Sequence, residues 1–375
     1  MMSLAVYIHI PFCDHKCIYC DFYSIINYQN LNEYLKCLKA EIKYYADQFL
    51  QNRIIDTIFF GGGTPSLMEP KYLEEILQQL YANFNVSKNV EITMETNPGT
   101  VSKQKLEEFK AIGINRISIG VQTFDEKELK FLTRIHDKKI AIKTVENAKD
   151  SGFENISIDL IFSLPKQSRK TWLNNLEIAV SLPIKHISAY SLILERGTIL
   201  NKMVLDGKVR MTDEKHDADL YKLTMDYLEN KNFNQYEISN FAKVGYECKH
   251  NLYYWEYKDY LGFGTAAHSF VNGKRWWNYS SLKQYIDEVK TKKNAVRGKE
   301  TLTNSEMLKE SIMLSLRSKG LNLKNVTNYS QDWYFKKEKI INSFKEKKYL
   351  QEKNGLLSCT KKGYLLCDEI IQNLI

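Results

Sequence analysis

The chain has 375 residues, 43% apolar and 26% charged, with a formal charge of +8, enough for one large domain and a smaller one with packed cores. No run of about 18 apolar residues occurs, which argues against a membrane span; the opening MMSLAVYIHIPFC, without a basic start and broken by His9 and Pro11, reads as a buried strand rather than a signal peptide. Seven cysteines, an odd number without a secretion signal, argue against a disulfide framework and indicate a reducing compartment, the cytoplasm.

Short β-rich runs alternate with amphipathic helical stretches over the first 230 residues. Strands are predicted at Ala5–Ile10, Ile54–Phe60, Val90–Glu95, Arg116–Gln122, Asn155–Phe162 and His186–Leu192. Between them lie stretches such as NLNEYLKCLKAEIKYYADQFL and KKIAIKTVENAKDSG, with apolar residues three and four apart. That alternation predicts parallel βαβ units with right-handed crossovers. Six units fall short of the eight that close a standard β/α barrel, so the expected fold class is α/β, an open partial (β/α)6 barrel.

A less regular, aromatic-rich segment follows, with a helix near Asp213–Leu228 and then the run YEISNFAKVGYECKHNLYYWEYKDYLGFGTAAHSF. It is expected to close the side of the barrel. The polar stretch TKKNAVRGKE, residues 291–300, lacks periodicity and reads as a boundary. Beyond it, helices near Asn304–Leu316 and Phe335–Glu346, a hairpin turning at Asn354-Gly355, and a helix from about Lys362 to Leu374 suggest a small helical, winged-helix-like domain. The expected division is therefore 1–230, 231–296 and 297–375. Most of the excess positive charge falls on the last segment, but it alternates with acids and reads as solvated helix faces, so a nucleic-acid partner is not expected.

The chemistry concentrates in CDHKCIYC, residues 13–20, where Cys13, Cys17 and Cys20 are spaced C-x3-C-x2-C in one loop after a strand. The remaining cysteines, Cys37, Cys248, Cys359 and Cys367, are scattered and read as small apolar core residues. Thiolates are the ligands that iron–sulfur clusters select, and complete electron-transfer clusters take four. Three would leave one iron open to a small molecule, much as catalytic zinc keeps a vacant position. Two alternatives stand beside this on spacing alone: chance clustering of structural cysteines, and a zinc site completed by a distant ligand. His15 lies too close to the cysteines for a usual zinc pattern.

Polar and glycine motifs sit where the predicted strands end: Gly61-Gly62-Gly63-Thr64-Pro65, Glu95-Thr96-Asn97-Pro98, Gly120-Val121-Gln122-Thr123, and Asp159 within the fifth. Loops at that rim form the site of a β/α barrel. Buried carboxylates such as Glu95 and Asp159 need partners, which a cation or a ribose diol would supply.

These residues together resemble the radical S-adenosylmethionine (SAM) superfamily, whose hallmark is the same three-cysteine spacing after the first strand of a partial barrel. The resemblance implies a [4Fe–4S] cluster on Cys13, Cys17 and Cys20. Its open iron would chelate the amino and carboxylate groups of SAM, and an electron would cleave the S–C5′ bond to yield a 5′-deoxyadenosyl radical. From residue 4 to about 270 the sequence resembles the coproporphyrinogen-oxidase-like branch. That resemblance implies SAM contacts from Tyr7, Gly62, Gly63, Thr64, Glu95, Gln122, Arg134 and Asp159, and Phe22 is counted among the cofactor-binding residues. Thr133 stands where this branch is expected to have glycine.

Two types compete within the branch. The oxygen-independent coproporphyrinogen III dehydrogenase has a further cysteine two residues after the third ligand, and a long N-terminal extension. Here Phe22 takes that position and only 12 residues precede Cys13. The HemW type carries H-N-x-x-Y-W, matched by His250-Asn251-Leu252-Tyr253-Tyr254-Trp255. That resemblance implies haem binding with His250 as the leading axial ligand, His268 and Cys248 as others, and delivery of haem to acceptor proteins. Whether such a protein carries out radical chemistry, or forms a homodimer, is left open by the residues.

Overall fold

The structure is a computed structural model and describes residues 2–49 and 53–375. Six strands alternate with helices. They are β1 (Met2–Ile10), α1 (Leu31–Phe49), β2 (Arg53–Gly62), α2 (Pro70–Asn83), β3 (Val86–Thr96), α3 (Lys103–Ala111), β4 (Arg116–Gln122), α4 (Glu126–Phe131), α5 (Lys138–Asp150), β5 (Asn155–Phe162), α6 (Arg169–Ser181) and β6 (His186–Ser191). Strands β1 to β6 pair in parallel in chain order. The fold class is therefore the expected one, a partial barrel of parallel strands with outer helices. Local chemistry sets the helix starts: Ser102, Asp125, Asp137 and Ser168 each cap a helix through a side-chain oxygen that accepts a backbone N–H.

Within each strand, residues alternate between the helix layer and the barrel interior. On β4, Ile117, Ile119 and Val121 join the apolar core, while Arg116, Ser118, Gly120 and Gln122 line the interior cavity. The same period puts Phe59, Glu95 and Asp159 on the interior wall.

The sheet does not stop at six strands, nor does the aromatic-rich segment simply close its side. After α7 (Ile199–Leu205) and α8 (Glu214–Glu229), the chain forms β7 (Asn234–Gln235) and β8 (Asn240–Ala242), of which β8 adds antiparallel to β6 and β7 pairs antiparallel with β8. The chain then returns to the opposite edge through α9 (Lys249–Trp255), and β9 (Tyr260–Phe263) pairs in parallel with β1. β10 (His268–Val271) and β11 (Lys274–Asn278) continue outward, and after α10 (Leu282–Lys292), β12 (Val296–Thr301) forms the edge. The polar stretch read as a boundary thus contains the end of a helix and a strand. Both faces of β12 are largely exposed, so it carries no apolar alternation to betray it.

Glu41 ties this late segment to the barrel. Its buried carboxylate accepts from Tyr285 Oη (2.6 Å), Asn278 Nδ2 (2.6 Å) and Gly264 N (2.9 Å), joining α1 to α10, β11 and the turn after β9. Burial pushes its carboxyl up to about 7, against the pull of these three donors.

Past the sheet, α11 (Asn304–Leu316), β13 (Leu321–Asn322), α12 (Leu323–Val326), α13 (Trp333–Glu346), β14 (Leu350–Lys353), β15 (Leu356–Cys359), α14 (Lys361–Tyr364) and α15 (Cys367–Leu374) form a second unit with its own core. Its three strands run in the order β13-β15-β14, and the hairpin turns at Asn354 and Gly355, both with positive φ. The helix expected from Lys362 is broken into α14 and α15 around Leu366.

Glu41→Ala would strand three buried donors, and the expected loss is roughly 3–5 kcal/mol of stability in equilibrium denaturation. Glu41→Gln, which keeps an acceptor, should lose less than half as much. Equal losses would refute the role of Glu41 as a tie.

Candidate functional site

The loop after β1 is held at three places. Phe12 is fully buried, stacked on Tyr28 and edge-on to Tyr34. Cys13 N donates to Ile25 O (2.9 Å) and Ile25 N to Pro11 O (2.7 Å), which closes the base of the loop. Midway, Ile18 sinks into a small apolar cluster with Leu132, Ile161, Leu164, Leu192 and Leu200. The three thiols therefore sit in a braced loop.

The end of β2 presses against it. Gly63 N donates to Ile10 O (2.7 Å) and Thr64 N to Phe12 O (2.8 Å). A Cβ at Gly63 would fall 2.5 Å from Phe12 O, and one at Gly62 would fall 2.5 Å from the His9 ring. Close approach of two backbone segments thus requires both glycines, which also line the cavity.

A chain of hydrogen bonds connects two of the cysteines. Thr64 Oγ1 meets Cys13 Sγ at 3.2 Å and accepts from Asn97 Nδ2 (2.9 Å). Asn97 Oδ1 accepts from Arg134 Nη2 (2.6 Å), and Arg134 Nη1 reaches Cys17 Sγ at 3.4 Å. Arg134 is also fastened to Gly120 O (2.7 Å). Thr133 holds φ at +56°, a left-handed conformation costly for a β-branched residue, which gives a physical reason for glycine at this place. Its hydroxyl is hydrogen-bonded to His15 Nε2 (3.1 Å).

Cys13, Cys17 and Cys20 line one open cavity of about 490 Å³, within the range of small-molecule sites. Phe22, Gly62, Gly63, Thr64, Glu95, Gln122, Arg134 and Asp159 line it too. Burial is the main force raising the Cys13 thiol and pushing Cys20 up to about 11, and the neighbouring cysteine charges add to it. No three His, Cys, Asp or Glu among the described residues converge as a single metal ion requires. An iron–sulfur cluster instead spreads its thiolates over separate irons, and donors at Cys13 and Cys17 suit charged sulfur.

Deeper in, Glu95 Oε2 accepts from Gly62 N (3.2 Å), and burial, then the charge of Asp159, pushes its carboxyl up to about 8. Asp159 accepts from Ser118 Oγ at 3.1 Å and is likewise raised, chiefly by burial. Two carboxyls disfavoured as anions fit a cationic or hydroxyl-rich ligand, as SAM is. Gln122 keeps φ at +68°, local strain at the cavity wall. Phe22 (61% exposed), Tyr190 (42%) and Ile193 (68%) give the cavity an apolar, solvent-facing part.

Two expected site residues lie outside the lining. Tyr7 stacks on Phe59 (6.2 Å), and its hydroxyl donates to His9 Nδ1 (3.1 Å). His250 is 2% exposed, stacks on Phe59 (4.9 Å), and has both ring nitrogens engaged, by Thr57 Oγ1 (2.9 Å) and Tyr254 Oη (3.0 Å). Burial, then the charge of Arg116, lowers its imidazole to about 3. The Thr57 contact braces α9 against β2, and a haem iron at His250 would take the place of one of these two hydrogen bonds. Cys248 is fully buried, while His268 is exposed and stacked on Trp277. Conversely, Asn97, Arg116, Ser118, Ser188, Tyr190 and Asn251 line the cavity without having been singled out as site residues. The inward period of R-I-S-I-G-V-Q was the available signal for Arg116 and Ser118.

A partial barrel with three unpaired cysteines braced over a carboxyl-lined cavity defines a radical SAM protein, and the family model of the radical SAM superfamily matches residues 7–179. The chain is 36% identical over 372 residues to the haem chaperone HemW of Bacillus subtilis (strain 168), spanning 98% of this chain and 97% of that protein. It is 33% identical to HemW of Lactococcus lactis, covering 99% and 97%. It is also 33% identical to the mitochondrial radical S-adenosyl methionine domain-containing protein 1 of Danio rerio, covering 100% and 87%. Among solved structures, coproporphyrinogen III oxidase of Escherichia coli superposes with a TM-score of 0.85 at 23% identity, covering 100% of this chain and 90% of that one, a likeness of fold. Within the radical SAM superfamily, this chain belongs to the HemW family.

The Glu95 carboxyl gives a pH test on ligand-free protein. With a folded value near 8 and an ordinary value of 4.5, the folded state holds a proton that the unfolded chain releases between these limits, so stability falls as pH rises through that window. Asp159, Arg116 and the Gly62 N–H are the groups facing it. Glu95→Gln should match the wild type near pH 4.5 and become more stable toward pH 8, by on the order of 3 kcal/mol. A difference in melting temperature independent of pH would contradict this.

Proposed function

We propose that this chain is a cytoplasmic haem chaperone that holds a [4Fe–4S] cluster on Cys13, Cys17 and Cys20, SAM at the open iron, and haem destined for acceptor proteins. The observation that carries the reading is near-full-length similarity to proteins named haem chaperone HemW. The residues present suit it. When bound, the cluster supplies an electron donor next to a coordinated SAM. The chain's part is to brace the thiols through Thr64 and Arg134 and to offer Glu95 and Asp159 to the cationic nucleotide. No helix among the described residues is long and apolar enough to cross a membrane.

The coproporphyrinogen III dehydrogenase reading draws on a likeness of fold at 23% identity. Phe22 weighs against it. Where that enzyme type has a further cysteine, this chain presents a phenyl ring, 61% exposed and lining the cavity. An exposed aromatic lining the same cavity as Tyr190 and Ile193 suits contact with a flat apolar macrocycle.

After anaerobic reconstitution, haem is expected to bind at about one per chain, with no conversion of coproporphyrinogen III in the presence of SAM and a reductant. Conversion would replace the chaperone reading with the dehydrogenase one. Cys13→Ala, Cys17→Ala and Cys20→Ala should each abolish the iron–sulfur absorbance, and its retention would refute the ligand set.

A further inference from the structure

Arg116 opens β4, at the end of the barrel opposite the cysteine loop, and points into the interior with only 2% of its surface exposed. A buried guanidinium normally meets carboxylates or carbonyls with several of its five N–H donors. In Arg116 the Nε has no acceptor among the described residues, and Glu91 and Asp159 act on the guanidinium through their charge.

The carboxylates that could have neutralised it are engaged elsewhere. Glu91 accepts from His250 N (3.3 Å) and Cys248 Sγ (3.8 Å) at the start of α9. Asp159 accepts from Ser118 (3.1 Å). Arg116 and Asn251 both line the cavity. Asn251 is therefore the member of the H-N-x-x-Y-W motif that lines the cavity, while His250 beside it is hydrogen-bonded to Thr57 and Tyr254. A buried guanidinium with an unpartnered Nε, in a cavity that a carboxamide also lines, is suited to receive a carboxylate, which guanidinium binds in a bidentate manner.

We propose that Arg116 and Asn251 form an anion-binding site at the inner end of the cavity that receives a carboxylate of its ligand and that, resting on the haem-chaperone reading, this carboxylate is a haem propionate. The site is remote from the cluster loop, so it is distinct from the one that takes the carboxylate of SAM. It gives haem an anchor separate from any ligand to its iron.

The test compares haem with haem dimethyl ester, in which both propionates are masked, in binding titrations of the reconstituted full-length protein. Haem is expected to bind roughly 10- to 100-fold more tightly, the equivalent of one charged hydrogen-bonded pair. Arg116→Met should remove the discrimination, and Asn251→Ala should weaken haem about 3- to 10-fold, with cluster absorbance and melting temperature reporting folding. Should Arg116→Met not fold, the wild-type ester comparison and Asn251→Ala still decide. Equal binding of haem and its diester by the wild type overturns this site alone. Binding of neither overturns the haem reading and the site with it. Discrimination persisting in a folded Arg116→Met protein also overturns the assignment.

Discussion

Three thiols gathered in one loop and partly removed from water repel one another as they ionise, and the fold around them answers that constraint. Donors are brought to sulfur: the Thr64 hydroxyl at Cys13 and the Arg134 guanidinium at Cys17. Asn97 bridges the two, so that the ends of β2, β3 and β4 are joined in one polar chain beneath the loop. Backbone contacts do the rest. Gly63 and Thr64 donate to Ile10 and Phe12, and at Gly63 that approach leaves no room for a Cβ. Cysteine spacing, the glycine run and the distant arginine are thus parts of one mechanical unit.

Below that unit the cavity wall is electrically unfinished. Glu95 and Asp159 are raised by burial, and Arg116 is buried with no acceptor for its Nε among the described residues. Such groups are costly in an empty fold and favourable when a ligand of complementary charge arrives. A cationic nucleotide suits the carboxyls and an anionic group suits the guanidinium. The polarity of the cavity runs along the barrel axis because inward positions of the parallel strands stack in layers.

The late segment of the chain makes this cavity deep. By returning from the β6 edge to the β1 edge, it lays α9 against β2 and brings Asn251 to the wall. Glu41 locks the same segment to α1 through three donors. Distant parts of the sequence thereby become a single support for the site.

Much of this was legible in the sequence, because it depends on local order. The six inner strands follow from period-two alternation and β-branched composition, with β4 and β5 read to the residue. The cysteine spacing and the motifs at the strand ends marked one rim, since in a parallel barrel every strand ends on the same side. What only the tertiary structure decided was non-local. β12 is an edge strand exposed on both faces, so nothing in its composition sets it apart from a linker. The hydrogen-bond partners of His250 are Thr57, 193 residues away, and Tyr254, and only the fold brings Thr57 to it. Arg116 looks like an ordinary polar strand start until the barrel closes round it with no acceptor for its Nε among the described residues. Sequence sets which side chains alternate inward; long-range pairing settles which of them find partners.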